Sequence, residues 1–82
     1  MNILIVDDDI TIRNLLSMLI KQIDDFTGTV AGASSADEAE ALCDERPVDL
    51  VITDIKMPNR SGLELIRLLR KKHPEIQIAC LS

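Results

Sequence analysis

The sequence predicts a doubly wound α/β fold, in which helices cover both faces of one parallel sheet. Four short apolar runs, at residues 3–6, 28–31, 50–53 and 76–81, are typical of buried strands. Helical periodicity fills each gap between them, which gives the order β-α-β-α-β-α-β. Phe26 is the single aromatic residue, so the core has to be built from aliphatic side chains. Short connections between alternating strands and helices imply right-handed crossovers.

The first gap has the apolar stripe of an amphipathic helix. Its hydrophobic residues fall at positions 12, 15, 16, 19, 20 and 23, which lie on one helical face. Asp9 stands where it can cap a helix that begins near Ile10.

The second and third gaps both open with a capping box. Ser35 and Glu38 form the first box, and Ser61 and Glu64 form the second. A proline follows each predicted C-terminus, at positions 47 and 74. The side chains expected to face the core are at positions 36, 39, 42 and 43 of one helix and 65, 66 and 69 of the other.

Length and composition limit the class of protein. The 82 residues allow one domain, over 1–82, and 46% hydrophobic with 28% charged residues is a globular composition. A net charge of −5 argues against this chain alone binding nucleic acid, which requires a basic face. Cys43 and Cys80 match no metal or redox pattern, so we expect free thiols. The start of the chain lacks a signal-peptide pattern, and we expect a cytoplasmic protein without a membrane segment.

Basic residues are concentrated in one part of the chain. Six of the nine lie between positions 56 and 72, and we interpret them as a solvated helix face near a helix C-terminus. We expect His73 to be a surface residue.

Acidic side chains follow two of the predicted strands. Asp7, Asp8 and Asp9 come directly after the first strand, and Asp54 comes directly after the third. If these strands are neighbours, the acids converge at one edge of the sheet, where ligands of open parallel sheets bind. Like charges this close repel, so we expect a cation between them, and carboxylate oxygens suit Mg²⁺ or Mn²⁺. Asp9 has the alternative role of helix cap.

Three segments resemble the receiver domain of two-component response regulators. They are Ile-Leu-Ile-Val-Asp-Asp-Asp (3–9), Asp-Leu-Val-Ile-Thr-Asp-Ile-Lys-Met-Pro-Asn-Arg-Ser-Gly (49–62) and Ala-Cys-Leu-Ser (79–82). The resemblance implies a flavodoxin-like sheet and a phosphorelay function. It makes Asp54 the phosphoacceptor and, with Asp7 and Asp8, part of a Mg²⁺ site. Lys56 would supply a backbone carbonyl to the metal, and Ser82 would supply a hydroxyl that engages the phosphoryl group.

The resemblance also implies partners. A sensor histidine kinase or a phosphotransfer protein would provide the phosphoryl group, and the modified domain would switch an effector, as in transcriptional regulation. DNA contact is expected only through such an effector. The domain itself would be an acceptor and not a turnover enzyme.

The chain departs from the family pattern after the fourth strand. The family fold has one further helix-strand-helix unit, whose strand carries a catalytic Lys, and residues 1–82 contain no counterpart of that Lys. We therefore expect a truncated receiver, with the first helix and the edge of the fourth strand uncovered. We expect such a chain to form a homodimer through the exposed edge or by exchanging elements.

Two alternatives remain at this stage. Asp7, Asp9 and Thr11 satisfy Asp-x-Asp-x-Thr, the nucleophile pattern of haloacid-dehalogenase-like phosphatases, which would turn over a phosphomonoester with Mg²⁺. A receiver would only be labelled stoichiometrically. The second alternative is an interaction or dimerisation module that is impaired in phosphorylation because the catalytic Lys is missing.

Overall fold

The computed structural model describes residues 1–81, which form four strands and three helices. The order along the chain is β1 (Asn2–Val6), α1 (Ile10–Lys21), β2 (Thr29–Ala33), α2 (Ala36–Glu45), β3 (Leu50–Asp54), α3 (Gly62–Lys72) and β4 (Gln77–Leu81). The predicted alternation of strands and helices is confirmed.

The four strands form one parallel sheet in the order β2-β1-β3-β4. β1 and β3 are therefore neighbours, although α1, β2 and α2 separate them in sequence. Val6 is paired with Ala33 on one side and with Thr53 on the other, so the strands end nearly level. This register brings the chain segments after β1 and β3 to the same edge of the sheet.

One face of the sheet packs against α2 and α3 and holds the main core. Leu4, Val6 and Val51 of the central strands lie in one cluster with Leu65 and Leu69 of α3. Ala36, Ala39 and Cys43 supply the small side chains of α2 that face this cluster, as the sequence predicts. Since strand residues alternate between faces, Ile3 and Ile5 lie on the opposite face.

Within the described part of the chain, the opposite face is covered by α1, which contacts β1 and β2. No residue of α1 is buried. Leu15 and Leu19 of the apolar stripe are 45% and 48% exposed, and Met18 beside them is 51% exposed. β4 lies at the edge of the four-stranded sheet, and most of its residues are exposed or partly exposed. The predicted exposure of the first helix and of the β4 edge is confirmed within residues 1–81.

All three predicted N-caps form. The side chain of Asp9 accepts a hydrogen bond from the amide of Thr11, Ser35 Oγ accepts one from Glu38, and Ser61 Oγ accepts one from Glu64. Each cap satisfies a backbone donor that the first helical turn leaves without a partner.

The boundaries of β2 and α1 differ from the predicted ones. β2 begins at Thr29, one residue later than expected, because Gly28 adopts a φ of +129° beside the backbone of Met1, and it ends at Ala33, two residues later than expected. Gly32 and Ala33 gave a weak strand signal because their side chains are small. α1 ends at Lys21, so Ile23, the last residue of the apolar stripe, lies beyond the helix.

Within residues 1–81, no helix is both long enough and apolar enough to cross a membrane. Cys43 and Cys80 are free thiols, as expected.

Candidate metal centre

Three carboxylates meet where β1 and β3 end. Asp54 is the last residue of β3, and Asp7 follows Val6, whose partner across the sheet is Thr53. One ligand oxygen from each of Asp7, Asp8 and Asp54 lies within 4.8 Å of the other two. The convergence predicted from the two strand ends is therefore present in the fold.

Backbone amides orient two of the three carboxylates. Asp7 is buried, and its Oδ1 accepts a hydrogen bond of 2.9 Å from the amide of Asp9. Asp54 is half-buried, and its Oδ1 accepts a hydrogen bond of 3.2 Å from the amide of Lys56. A carboxylate oxygen has two lone pairs, so both residues can still bind a cation while they accept these hydrogen bonds.

Asp9 does not belong to this cluster. Its Oδ1 accepts a hydrogen bond of 2.9 Å from the amide of Thr11 and caps α1. The two readings of Asp9 are thus resolved in favour of the cap. Within residues 1–81, the cluster of carboxylates that could hold a metal ion consists of Asp7, Asp8 and Asp54, so the second carboxylate of the Asp-x-Asp-x-Thr pattern does not contribute to it.

The donor set fits a small divalent cation. All three side chains offer hard carboxylate oxygens, which Mg²⁺ prefers at about 2.1 Å in octahedral geometry. Adjacent oxygens of such an octahedron are about 3 Å apart, and one oxygen from each carboxylate lies within 4.8 Å of the other two. Binding of an ion would therefore draw the three side chains closer together. The same ligands also suit Mn²⁺.

The β3–α3 loop (residues 55–61) lies against this site. The amide of Gly62, the first residue of α3, donates a hydrogen bond of 2.8 Å to the carbonyl of Ile55 and closes the loop at its base. A Cβ at position 62 would clash with the carbonyl oxygen of Asp54, so only glycine lets the helix approach this closely.

Lys56 and Ser82 complete the set of predicted site residues. The backbone of Lys56 lies beside the cluster through its bond to Asp54, while its side chain is exposed. Ser82 lies outside the described residues. Leu81, which precedes it in the sequence, pairs with Asp54 across the sheet.

Arg13 was not predicted as a residue of this site. Its Nη1 donates a hydrogen bond of 2.6 Å to the carbonyl of Asp7, which ties α1 to the end of β1. Gly32 leaves room for its stem, since a Cβ there would lie 3.3 Å from Arg13 Cδ. The sequence offered no signal for this contact, because it depends on how α1 crosses β2.

The interpretation of the basic residues as a solvated helix face was wrong for two of them. Arg60 lies in the β3–α3 loop and pairs with Asp37 and Glu40 of α2. Lys72, at the end of α3, pairs with Glu40 at 3.0 Å and with Asp44 at 2.8 Å. Asp37, Glu40 and Asp44 recur at helical spacing, so they form an acidic stripe on α2 that binds both ends of the α3 region. That stripe was the sequence signal for the network.

The network shifts the pKa values of its members. The Lys72 ammonium, with Arg60 as the second contributor, lowers the pKa of Glu40 below its usual value of 4.5. The Lys72 ammonium, followed by His73, lowers the pKa of Asp44 below 3.8. Asp44, followed by Glu40, raises the pKa of Lys72 above 10.5. His73 is only partly exposed, and its Nε2 lies 2.8 Å from Asp44 Oδ1.

Comparison with known proteins decides the family. The family model described as the response regulator receiver domain matches residues 3–82. The chain belongs to the response regulator receiver domain family. Receiver domains are phosphoacceptors and generally bind Mg²⁺ at an acidic pocket, and response regulators are phosphorylated by histidine kinases and act with effector domains.

Individual relatives agree with this assignment. The positive alginate biosynthesis regulatory protein of Pseudomonas aeruginosa is 38% identical over all of this chain and 34% of its own length. A receiver protein from Pseudomonas putida is 33% identical with a TM-score of 0.86, over 99% of this chain and 66% of its own. The response regulator TrrA of Thermotoga maritima, solved with Mg²⁺ and BeF, is 37% identical with a TM-score of 0.82, over 94% and 64% of the two chains. The chain thus spans about a third of the curated alginate regulator.

The ion-pair network predicts a dependence of stability on acidity. Because folding lowers the pKa of Glu40 and Asp44, their ion pairs stabilise the fold above their usual pKa values of 4.5 and 3.8, and this contribution is lost as the pH falls through the lowered values. The double variant Glu40→Gln and Asp44→Asn should be less stable than wild type at neutral pH and should lose less stability on acidification. Urea unfolding from pH 7 to pH 3 measures both effects.

Glu45→Gln provides the control, since Glu45 lies on the same helix and forms none of the ion pairs found within residues 1–81. It should follow the wild-type profile. Equal acid sensitivity of the double variant and the wild type would contradict the role of the network.

Proposed function

We propose that this receiver domain accepts a phosphoryl group on Asp54 with the help of a divalent cation. The observation that supports the proposal is the position of the Asp54 carboxylate beside those of Asp7 and Asp8, with ligand oxygens within 4.8 Å. The family assignment gives this cluster its chemistry, because receiver domains are phosphoacceptors.

Asp54 is the nucleophile of the proposed reaction. One of its oxygens attacks phosphorus in line, while the bond from phosphorus to the donor nitrogen of a phosphohistidine breaks and the imidazole leaves with that electron pair. The amide of Lys56 holds the other oxygen, Oδ1, and so fixes the orientation of the carboxylate. Reaction stops at one aspartyl phosphate per chain, so the domain does not act as a turnover enzyme.

A Mg²⁺ or Mn²⁺ ion would be held by Asp7, Asp8, Asp54 and the backbone carbonyl of Lys56. When bound, it offsets the negative charge that the carboxylates and the phosphoryl oxygens bring together. The amide of Asp9 holds the orientation of the Asp7 carboxylate. We further propose that the hydroxyl of Ser82 engages the phosphoryl group, since Ser82 follows the residue that pairs with Asp54.

The proposed partners are a sensor histidine kinase or a phosphotransfer protein as phosphodonor, and an effector that regulates transcription. The names of several relatives support the second part, among them the transcriptional regulatory proteins CitT and MalR of Bacillus subtilis, which are 36% and 37% identical to this chain. Free thiols at Cys43 and Cys80 favour a reducing compartment, so we propose the cytoplasm.

We also propose that the 82-residue chain forms a homodimer through its exposed α1 face or the β4 edge. Leu15, Met18 and Leu19 of α1 are each 45–51% exposed, and β4 lies at the edge of the sheet. Apolar patches and unpaired strand edges of this kind are the surfaces that chains bury on association.

Asp54→Asn should abolish labelling by acetyl phosphate and Mg²⁺, because an amide cannot act as the nucleophile. Mass spectrometry of the intact protein measures this: the wild type should gain the mass of one phosphoryl group, and the variant should not. The control is Asp49→Asn, whose carboxylate lies next to the other end of β3 and accepts a hydrogen bond from the Asn2 amide. That variant should be labelled like the wild type.

Labelling of the Asp54→Asn variant at the wild-type level would contradict the assignment of Asp54. An absence of labelling in the wild type would favour the interaction module that no longer accepts phosphate. Continuous release of phosphate would indicate a phosphatase.

The dimer is tested by light scattering. The wild type should have twice the chain mass of 9.1 kDa, and Leu19→Lys should shift the equilibrium toward the monomer if α1 lies in the interface. A wild-type monomer at high concentration would contradict self-association.

A further inference from the structure

Arg60 connects the β3–α3 loop to α2. Its Nη1 donates hydrogen bonds to Asp37 and, at 3.1 Å, to Glu40, and its Nε lies 3.9 Å from Glu64. The side chain is 31% exposed, so most of it is covered by these neighbours. A solvated surface arginine would lack such fixed contacts.

The rest of the loop has few attachments of this kind. The bond from Gly62 to the carbonyl of Ile55 closes its base, and Met57 packs against the core. Asn59, at its tip, has a φ of +70°. Among the ion pairs found within residues 1–81, those of Arg60 are the ones that tie this loop to another element.

The position of the loop determines the geometry of the metal centre. The loop follows Asp54 directly and contains Lys56, whose amide orients the Asp54 carboxylate. Under the proposed function, the carbonyl of the same residue is a metal ligand. Sites of this type require their ligands to be held within about 0.5 Å of the productive geometry, so a displaced loop would move two ligands at once.

We infer that Arg60 is a positioning residue for this site: its ion pairs with Asp37 and Glu40 hold the β3–α3 loop where Lys56 and Asp54 can bind the cation together. This inference rests on the proposed function. Arg60 acts through the loop backbone and not through its own charge, because two carboxylates of α2 already neutralise that charge. Lys56 and Asp54 are the residues whose geometry it sets.

Lys72 supplies a matched control. It pairs with the same Glu40, at 3.0 Å, but reaches it from the far end of α3. Replacing either cation removes two ion pairs between α2 and the α3 region. Only the loss of Arg60 releases the loop, so the two variants separate positioning of the site from general stability.

The test compares Arg60→Gln, Arg60→Lys and Lys72→Gln with the wild type. Mn²⁺ alone, without a phosphodonor, is titrated by electron paramagnetic resonance, and amide hydrogen exchange at Lys56 is measured on the metal-free chain. Arg60→Gln should weaken Mn²⁺ binding about tenfold, as loss of an outer partner of a metal site does, and should speed exchange at Lys56. Arg60→Lys should recover part of the Mn²⁺ affinity and part of the protection of the Lys56 amide from exchange. Lys72→Gln should lower the unfolding temperature and leave both readouts unchanged.

Equal Mn²⁺ affinity in Arg60→Gln and the wild type would overturn the inference. An equal loss of Mn²⁺ affinity in Arg60→Gln and Lys72→Gln would also overturn it. If the wild type binds no Mn²⁺, the proposed function fails. In that case, the rate of amide hydrogen exchange at Lys56 is the measurement that tests whether Arg60 positions the loop.

Discussion

Mutual repulsion of three carboxylates is the constraint on which the architecture of this protein depends. Asp7, Asp8 and Asp54 have ligand oxygens within 4.8 Å of one another. Like charges this close repel by about 1 kcal/mol per pair where water screens them, as at the exposed Asp8. Domains of this size are stable by only about 5–15 kcal/mol. The acidic cluster is therefore a considerable cost to the fold, and a cation that binds there removes that cost.

The surrounding structure holds the carboxylates in place against this repulsion. The parallel register of β1 and β3 sets their backbones side by side, and the amides of Asp9 and Lys56 each fix one carboxylate. Gly62 lets α3 approach the carbonyl of Asp54. Farther out, Arg60 joins the β3–α3 loop to the acidic stripe of α2. Stability is thus reduced at one edge of the sheet, where we propose that the domain accepts a phosphoryl group.

Sequence patterns were enough to predict the helices, strands and helix caps, because these features depend on local periodicity. Alternation of strands and helices predicted that the ends of β1 and β3 share an edge, which is why Asp7, Asp8 and Asp54 could be grouped before any coordinates. The capping boxes at Ser35 and Ser61 are equally local. Arg60 was misread because its partners lie 20 or more residues away and depend on how α2 docks on α3. Arg13 was missed although Asp7 is only six residues away, because their contact depends on how α1 crosses β2, where Gly32 leaves room for the arginine side chain.

Urea unfolding of the wild type and Asp8→Asn, each with EDTA and with saturating Mg²⁺, tests the balance between repulsion and cation binding most directly. Asp8 is exposed, so the variant removes a charge without opening a cavity. With EDTA, Asp8→Asn should be more stable than the wild type by about 1 kcal/mol or more. With Mg²⁺ at a hundred times its dissociation constant, the wild type should gain about 2.7 kcal/mol and the variant much less, which reverses their order. Equal stability with EDTA, together with an equal response to Mg²⁺, would contradict a cation site built from repelling carboxylates.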